Sequence, residues 1–166
     1  MREKFFIASA VTIVLSAMLL YTYNYFKPLP APLVLIDYAR SFSIPYNDLS
    51  DYLISEDGTY YLWFCDASTD CTFINDNSLR PLANEIKAGE FPEITFVDMT
   101  YSRKNISPAR LKQLWGFTAY PAFVTITVSE GNMSIGTVLQ WGVNDPIGKE
   151  DVKNWMIENG IWKGSK

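Results

Sequence analysis

The sequence predicts an α/β fold with a mixed central sheet and helices on both faces, preceded by one N-terminal transmembrane helix. Three observations predict it. Strand-like apolar runs alternate with helix-period segments from Leu33 to Trp115. Two further strand-like runs then flank a tight turn containing Gly131, and an apolar stretch occupies residues 5–26. Alternation calls for parallel strands with crossover helices, and a hairpin adds antiparallel strands, so the sheet is mixed.

Each element has a local cause. Leu33-Val34-Leu35-Ile36-Asp37-Tyr38 is a short apolar run that suits a buried strand. Residues 45–54 read as a helix with Leu49, Leu53 and Ile54 on one side. Thr59 to Phe64 is β-branched and aromatic, predicts a central strand, and runs directly into Cys65. From about Cys71 to Lys87 the apolar period turns helical through Leu79, Leu82 and Ile86, with a kink expected at Pro81 and a stop at Ala88-Gly89. Ile94 to Asp98 is a second central strand. Ser107-Pro108 forms an N-cap and first-turn pair for a helix carrying Leu111, Leu114 and Trp115, stopped by Gly116. Ala122 to Val128 and Ser134 to Trp141 form a hairpin around Ser129-Glu130-Gly131-Asn132. Lys149 to Asn159 closes the chain as a helix with Val152, Trp155 and Met156 on one face and Gly160 beyond its end.

The amino terminus sets the expected compartment. Met1-Arg2-Glu3-Lys4 is a short basic start, and the run from Phe5 to Phe26 is long enough to cross a hydrocarbon core of about 30 Å as a helix. Tyr21, Tyr23 and Tyr25 lie at its far end, where aromatic rings favour the membrane interface. Arg2 and Lys4 place the amino terminus in the cytoplasm and the remainder outside. The only Ala-x-Ala, Ala8-Ser9-Ala10, falls inside the apolar run, which favours an uncleaved anchor over a cleaved signal. The expected organisation is a signal anchor at 1–26, a proline-rich linker at 27–32 and one globular domain at 33–166. Alternating prolines at 28, 30 and 32 favour a polyproline II stalk.

Composition excludes several chemistries. The chain has no histidine, so histidine bases, Ser-His-Asp and Cys-His nucleophiles and His-containing zinc sites are ruled out. Two cysteines cannot hold a four-cysteine metal or iron–sulfur site, so no cofactor and no metal are expected. With 14 basic and 18 acidic residues the net charge is −4, which argues against a nucleic-acid partner. At 48% hydrophobic, the 166 residues suffice for one packed core. The conspicuous chemistry that remains is the thiol pair Cys65 and Cys71, read first as a disulfide in an oxidising extracytoplasmic space.

Together the element order and these residues resemble a thioredoxin-like domain over nearly all of Leu33 to Trp162. Three features carry the resemblance: a hydrophobic strand ending in a cysteine-bearing turn that opens a long helix; the segment Trp115-Gly116-Phe117-Thr118-Ala119-Tyr120-Pro121-Ala122-Phe123, similar to the family's cis-proline loop; and a hairpin followed by a closing helix. The resemblance implies a groove at Tyr120-Pro121 that accepts an extended peptide through main-chain hydrogen bonds. It departs from the family at the motif, since Cys65-Asp66-Ala67-Ser68-Thr69-Asp70-Cys71 is C-x5-C rather than C-x2-C. Placing Cys71 at the second cysteine's position puts Ser68 at the first, and Cys65 becomes an added thiol at the strand end. Asp66 and Asp70 oppose acidification of a thiol by like charge, and the family's buried acid on the preceding strand is missing.

Two functions follow. In the first, Cys65 and Cys71 carry thiol–disulfide exchange with thiols or disulfides of exported proteins or peptides. One cysteine attacks, Cys65 being expected as the more exposed, while Ser68, Tyr120 and Pro121 hold the substrate strand. In the second, the cysteines form a structural staple and the domain is a binding module, an adaptor or holdase of an envelope assembly. Trp63, Trp115, Trp141 and Trp155 are expected in packing, and Asp48, Asp51, Glu56 and Asp57 on a solvated face.

Overall fold

The computed structural model describes residues 43–88, 91–102 and 106–164, together with Ser16 and Met18. The chain forms two compact units, Met1–Leu33 and Val34–Lys166. Of the first, only Ser16 and Met18 are described, and both are helical. Otherwise the expected anchor, the linker and the strand at 33–38 lie outside the described residues. Among the described residues, no helix is long and apolar enough to cross a membrane.

The second unit is built on a five-stranded sheet. In chain order its elements are β1 (Ser43–Pro45), a 3-10 turn (Tyr46–Asp48), α1 (Leu49–Ile54), β2 (Gly58–Cys65), α2 (Thr69–Ile74), a π-helical turn (Asn75–Leu79), α3 (Arg80–Glu85), β3 (Ile94–Asp98), α4 (Pro108–Trp115), β4 (Ala122–Ser129), β5 (Asn132–Gln140) and α5 (Lys149–Glu158). The strand order is β1-β3-β2-β4-β5. β3 pairs parallel with both β1 and β2; β4 runs antiparallel to β2, and β5 antiparallel to β4. The mixed sheet expected from alternation plus a hairpin is therefore present.

Side-chain alternation along the strands separates two cores. Trp63, Phe96 and Phe123 face one side and pack with Ile74, Leu82, Val152, Trp155 and Met156 from α2, α3 and α5. Leu62, Phe64, Val97, Val124 and Ile126 face the other and pack with Leu49, Leu53, Leu111 and Trp115 from α1 and α4. Phe123 links the aromatic layer of the first core, lying parallel to Trp63 at 5.8 Å and tilted against Trp155 at 5.3 Å. Each such fully buried large side chain contributes roughly 1.5–3 kcal/mol by removal of apolar surface from water.

Several boundaries differ from expectation for local reasons. Pro45, expected to open a helix, instead ends β1 with extended backbone at ψ 138°, and the helix starts after the 3-10 turn. β1 itself escaped the sequence reading because three residues with one buried side chain, Ile44, show no period. The helix expected from Cys71 begins at Thr69, capped by Ser68. Its irregularity ahead of Pro81 takes the form of the π turn, five residues whose wider loop accommodates a residue that cannot donate an amide hydrogen bond. The turn after α3 is made by Lys87 at φ 55°. The hairpin is tighter than expected: Ser129 pairs with Asn132, and Glu130 and Gly131 both take positive φ, the two-residue turn suited to strand twist.

Candidate functional site

The site is assembled at the end of the sheet where β2 stops and β4 starts. Cys65 is the last residue of β2, opposite Asp98 of β3, and its carbonyl accepts the Met99 N–H at 2.8 Å. A short polar turn then reverses the chain. Asp66 Oδ1 accepts the Ser68 N–H at 2.9 Å, the local bond by which aspartate makes a turn. Ser68 in turn caps α2: its Oγ accepts the Cys71 N–H at 3.4 Å, and its carbonyl accepts the Thr72 N–H and hydroxyl, each at 3.1 Å. These bonds place Cys71 in the first turn of α2, facing back toward Cys65.

The two cysteines form a disulfide with an S–S distance of 2.06 Å and a Cα–Cα separation of 5.8 Å, inside the range such a bridge requires. Both residues are 0% exposed. Cys65 is therefore not the more exposed thiol, contrary to expectation. It sits on the sheet face beneath α2, within the core of Trp63, Ile74 and Phe123 that also encloses Cys71. Asp66 is 2% exposed. Its backbone N–H donates to Cys71 Sγ at 3.1 Å, and its Oδ1 lies 3.5 Å from the same sulfur.

Phe64 pairs with Ala122 across β2 and β4, so Pro121 is brought to the level of Cys65 at this end of the sheet. The Tyr120-Pro121 peptide is cis. The Pro121 carbonyl accepts the Trp141 N–H at 2.8 Å, and the Thr118 N–H donates to Gln140 Oε1 at 2.9 Å, fastening this turn to the end of β5. Tyr120 is half-buried against the core of α1 and α4, the face opposite to the disulfide. The structure thus brings Cys65, Ser68, Cys71 and Pro121 to one end of the sheet and directs the Tyr120 ring to the other core.

Ser68 stands in the site as the cap of α2, and its hydroxyl is engaged with the Cys71 amide. Phe73, 43% exposed, stands edge-on to Trp141 at 5.9 Å, beside the turn that carries Pro121. The sequence predicts packing for Trp141 and carries no signal that singles out Phe73. The like charge of Asp66 is legible there too, but its inward turn has one local signal, an aspartate two residues before an N-cap serine. Trp63, Trp115 and Trp155 are buried as expected, and Trp141 is half-buried. Among the described residues, no group of three His, Cys, Asp or Glu is arranged to hold a metal ion.

No protein-family model matches the chain, and no curated protein matches it in sequence. Among solved structures it is similar to a thioredoxin of Plasmodium falciparum, at 15% identity and TM-score 0.42, over 73% of this chain and 91% of that one. It is also similar to a thioredoxin of Trichomonas vaginalis, at 16% identity and TM-score 0.38, over 72% of this chain and 91% of that one.

Proposed function

We propose that this chain is a thioredoxin-like protein that exchanges disulfides with thiols of exported proteins through Cys65 and Cys71, held at the outer face of a membrane by residues 5–26. One observation carries the exchange reading: the disulfide joins the end of a central strand to the first turn of the following helix, beside the turn that carries Pro121. That arrangement unites the features on which the resemblance rests. Exchange needs in-line approach of a thiolate to one sulfur. With both cysteines buried, approach requires the turn Asp66 to Asp70 to swing away from the sheet end.

The membrane placement rests on the apolar run and on the flanking Arg2 and Lys4. A C-terminal alkaline phosphatase fusion, active only outside the cytoplasm, tests it. An active fusion is expected, and an inactive but full-length one overturns the topology.

The burial of both cysteines supports a second reading, a structural staple in a binding module. A glutathione titration of the full chain in detergent, with Cys65 and Cys71 read by alkylation and mass shift, separates the two. A midpoint between about −120 and −270 mV is expected for an exchanging pair, and one below about −300 mV assigns the staple.

A further inference from the structure

Among the described residues the sheet has two edges, and they differ. β1 is three residues long and ends in Pro45, which has no N–H to offer a further strand, so that edge is blunt. β5 forms the other edge over nine residues, Asn132–Gln140, with no proline and no charged side chain. Met133 and Ile135 are 46% and 42% exposed, and Val138 is exposed beside them. All three stand on the sheet face of their β4 partners Val128, Ile126 and Val124. Gly116 abuts Ile135 and Val138, and Leu114, two residues earlier on α4, is exposed as well. Sheet edges commonly carry a lysine, a proline or a bulge that deters further pairing. Here the one such device is a bulge at Gly136-Thr137, where three steps along β5 match two along β4, and it leaves Asn132 to Ile135 regular.

We propose that β5 is the seam of a two-fold homodimer, pairing antiparallel with β5 of a second copy about Ser134. Three arguments select a second copy as the occupant. A two-fold axis normal to the sheet keeps both apolar rows on one face, and centring it on Ser134 sets Met133 of each copy opposite Ile135 of the other, the kind of cross-strand contact that stabilises sheets. The chain carries a net charge of −4, so two copies repel over most approaches, yet Asn132–Gln140 holds no acid and Glu130 lies beyond it on the hairpin turn. Finally, Asn132 to Gly136 gives about 17 Å of edge for main-chain pairing. With the side chains flanking it on both faces, the contact is on the order of 1,000 Å² over the two copies, the lower bound of a specific interface. The dimer is therefore concentration-dependent. This inference is independent of the exchange reading, because it uses none of the residues around the disulfide.

The test reads mass and register. Light scattering of the full chain in detergent, over a concentration series, is expected to show a protein mass rising from the 18.9 kDa of one chain toward twice that value. Ile135→Lys and Met133→Lys, both at exposed positions that a charge can occupy in the monomer, are expected to hold the mass at one chain. Cysteine cross-linking then fixes the register. Under mild oxidation Ser134→Cys is expected to give a covalent dimer joined at residue 134 by peptide mapping, since the two-fold axis brings that position against its own copy. Val138→Cys is expected to give none, because its two copies would lie about 27 Å apart along the antiparallel seam, far beyond disulfide reach. A chain that stays monomeric throughout the series leaves the edge to some other occupant and overturns the proposal. A dimer that persists in both lysine variants places the interface elsewhere and does the same. Cross-linking at Val138→Cys as readily as at Ser134→Cys overturns the pairing about Ser134.

Discussion

The indole N–H of Trp115 donates to the Tyr46 hydroxyl across 2.9 Å, and the two rings meet edge-to-face at 6.2 Å. The bond joins the last residue of α4 to the 3-10 turn that opens α1, so both helices on that face are fixed to each other as well as to the sheet. Trp115 is buried, and its N–H has lost water. Tyr46→Phe keeps the ring contact and removes the acceptor. The variant is expected to lose about 1–3 kcal/mol in urea unfolding, and an unchanged midpoint would show that the hydroxyl contributes nothing.

Gly116 ends α4 at φ 82°, a conformation that an L side chain adopts only with strain. A Cβ added there would lie 3.1 Å from Val138 Cγ2 and 3.2 Å from Ile135 Cγ2. Gly116→Ala is therefore expected to destabilise by roughly 1 kcal/mol from the backbone alone, and by more if β5 cannot yield. Thermal unfolding followed by circular dichroism checks it; a variant as stable as the parent would refute the close approach.

The disulfide closes a ring of seven residues, Cys65 to Cys71. Constraining the unfolded chain by that ring is worth about 2 kcal/mol in the chain-entropy model. Comparing urea unfolding of the oxidised and reduced protein should show this difference. A larger loss would mean that the reduced turn no longer holds its fold, and equal midpoints would rule out any stapling role.

Glu85 gathers two cations, Lys153 at 2.8 Å and Lys149 at 2.9 Å, tying α3 to α5. The hydrogen bond from Lys153, and then that from Lys149, hold its carboxyl below the ordinary range. A group whose folded pKa is lowered stabilises above its unfolded pKa of about 4.3 and loses that contribution as pH falls through the folded value. Glu85→Gln should thus be less stable than the parent at pH 7, with the difference closing as pH falls through the lowered pKa of the folded state. A difference that persists at low pH would assign the effect to packing.

Much of the fold was legible because its signals are local. The strands at Tyr60 to Phe64, Ile94 to Asp98 and Ala122 to Val128, the Ser107 cap and the Gly116 stop each need only a short window of side chains. By contrast, the three-residue β1 carries one buried side chain, and the π turn ahead of Pro81 is an adjustment of hydrogen bonds within a helix that periodicity already predicts. Neither leaves a pattern to read. At the site, the sequence showed a cysteine pair close enough to bridge, but not how deeply it is covered.

By itself, the sequence determined the class of sheet, the exclusion of histidine chemistry, and the closeness of Cys65 and Cys71, since each depends on residue type and spacing along the chain. Tertiary structure alone decided that both sulfurs lie beneath α2, that Asp66 turns inward against Cys71, and that Tyr120 belongs to the opposite core. Burial and side-chain direction depend on what the neighbouring strands and helices bring to the same place. Residues as distant as Phe123 and Trp155 supply that cover, and no local window contains them.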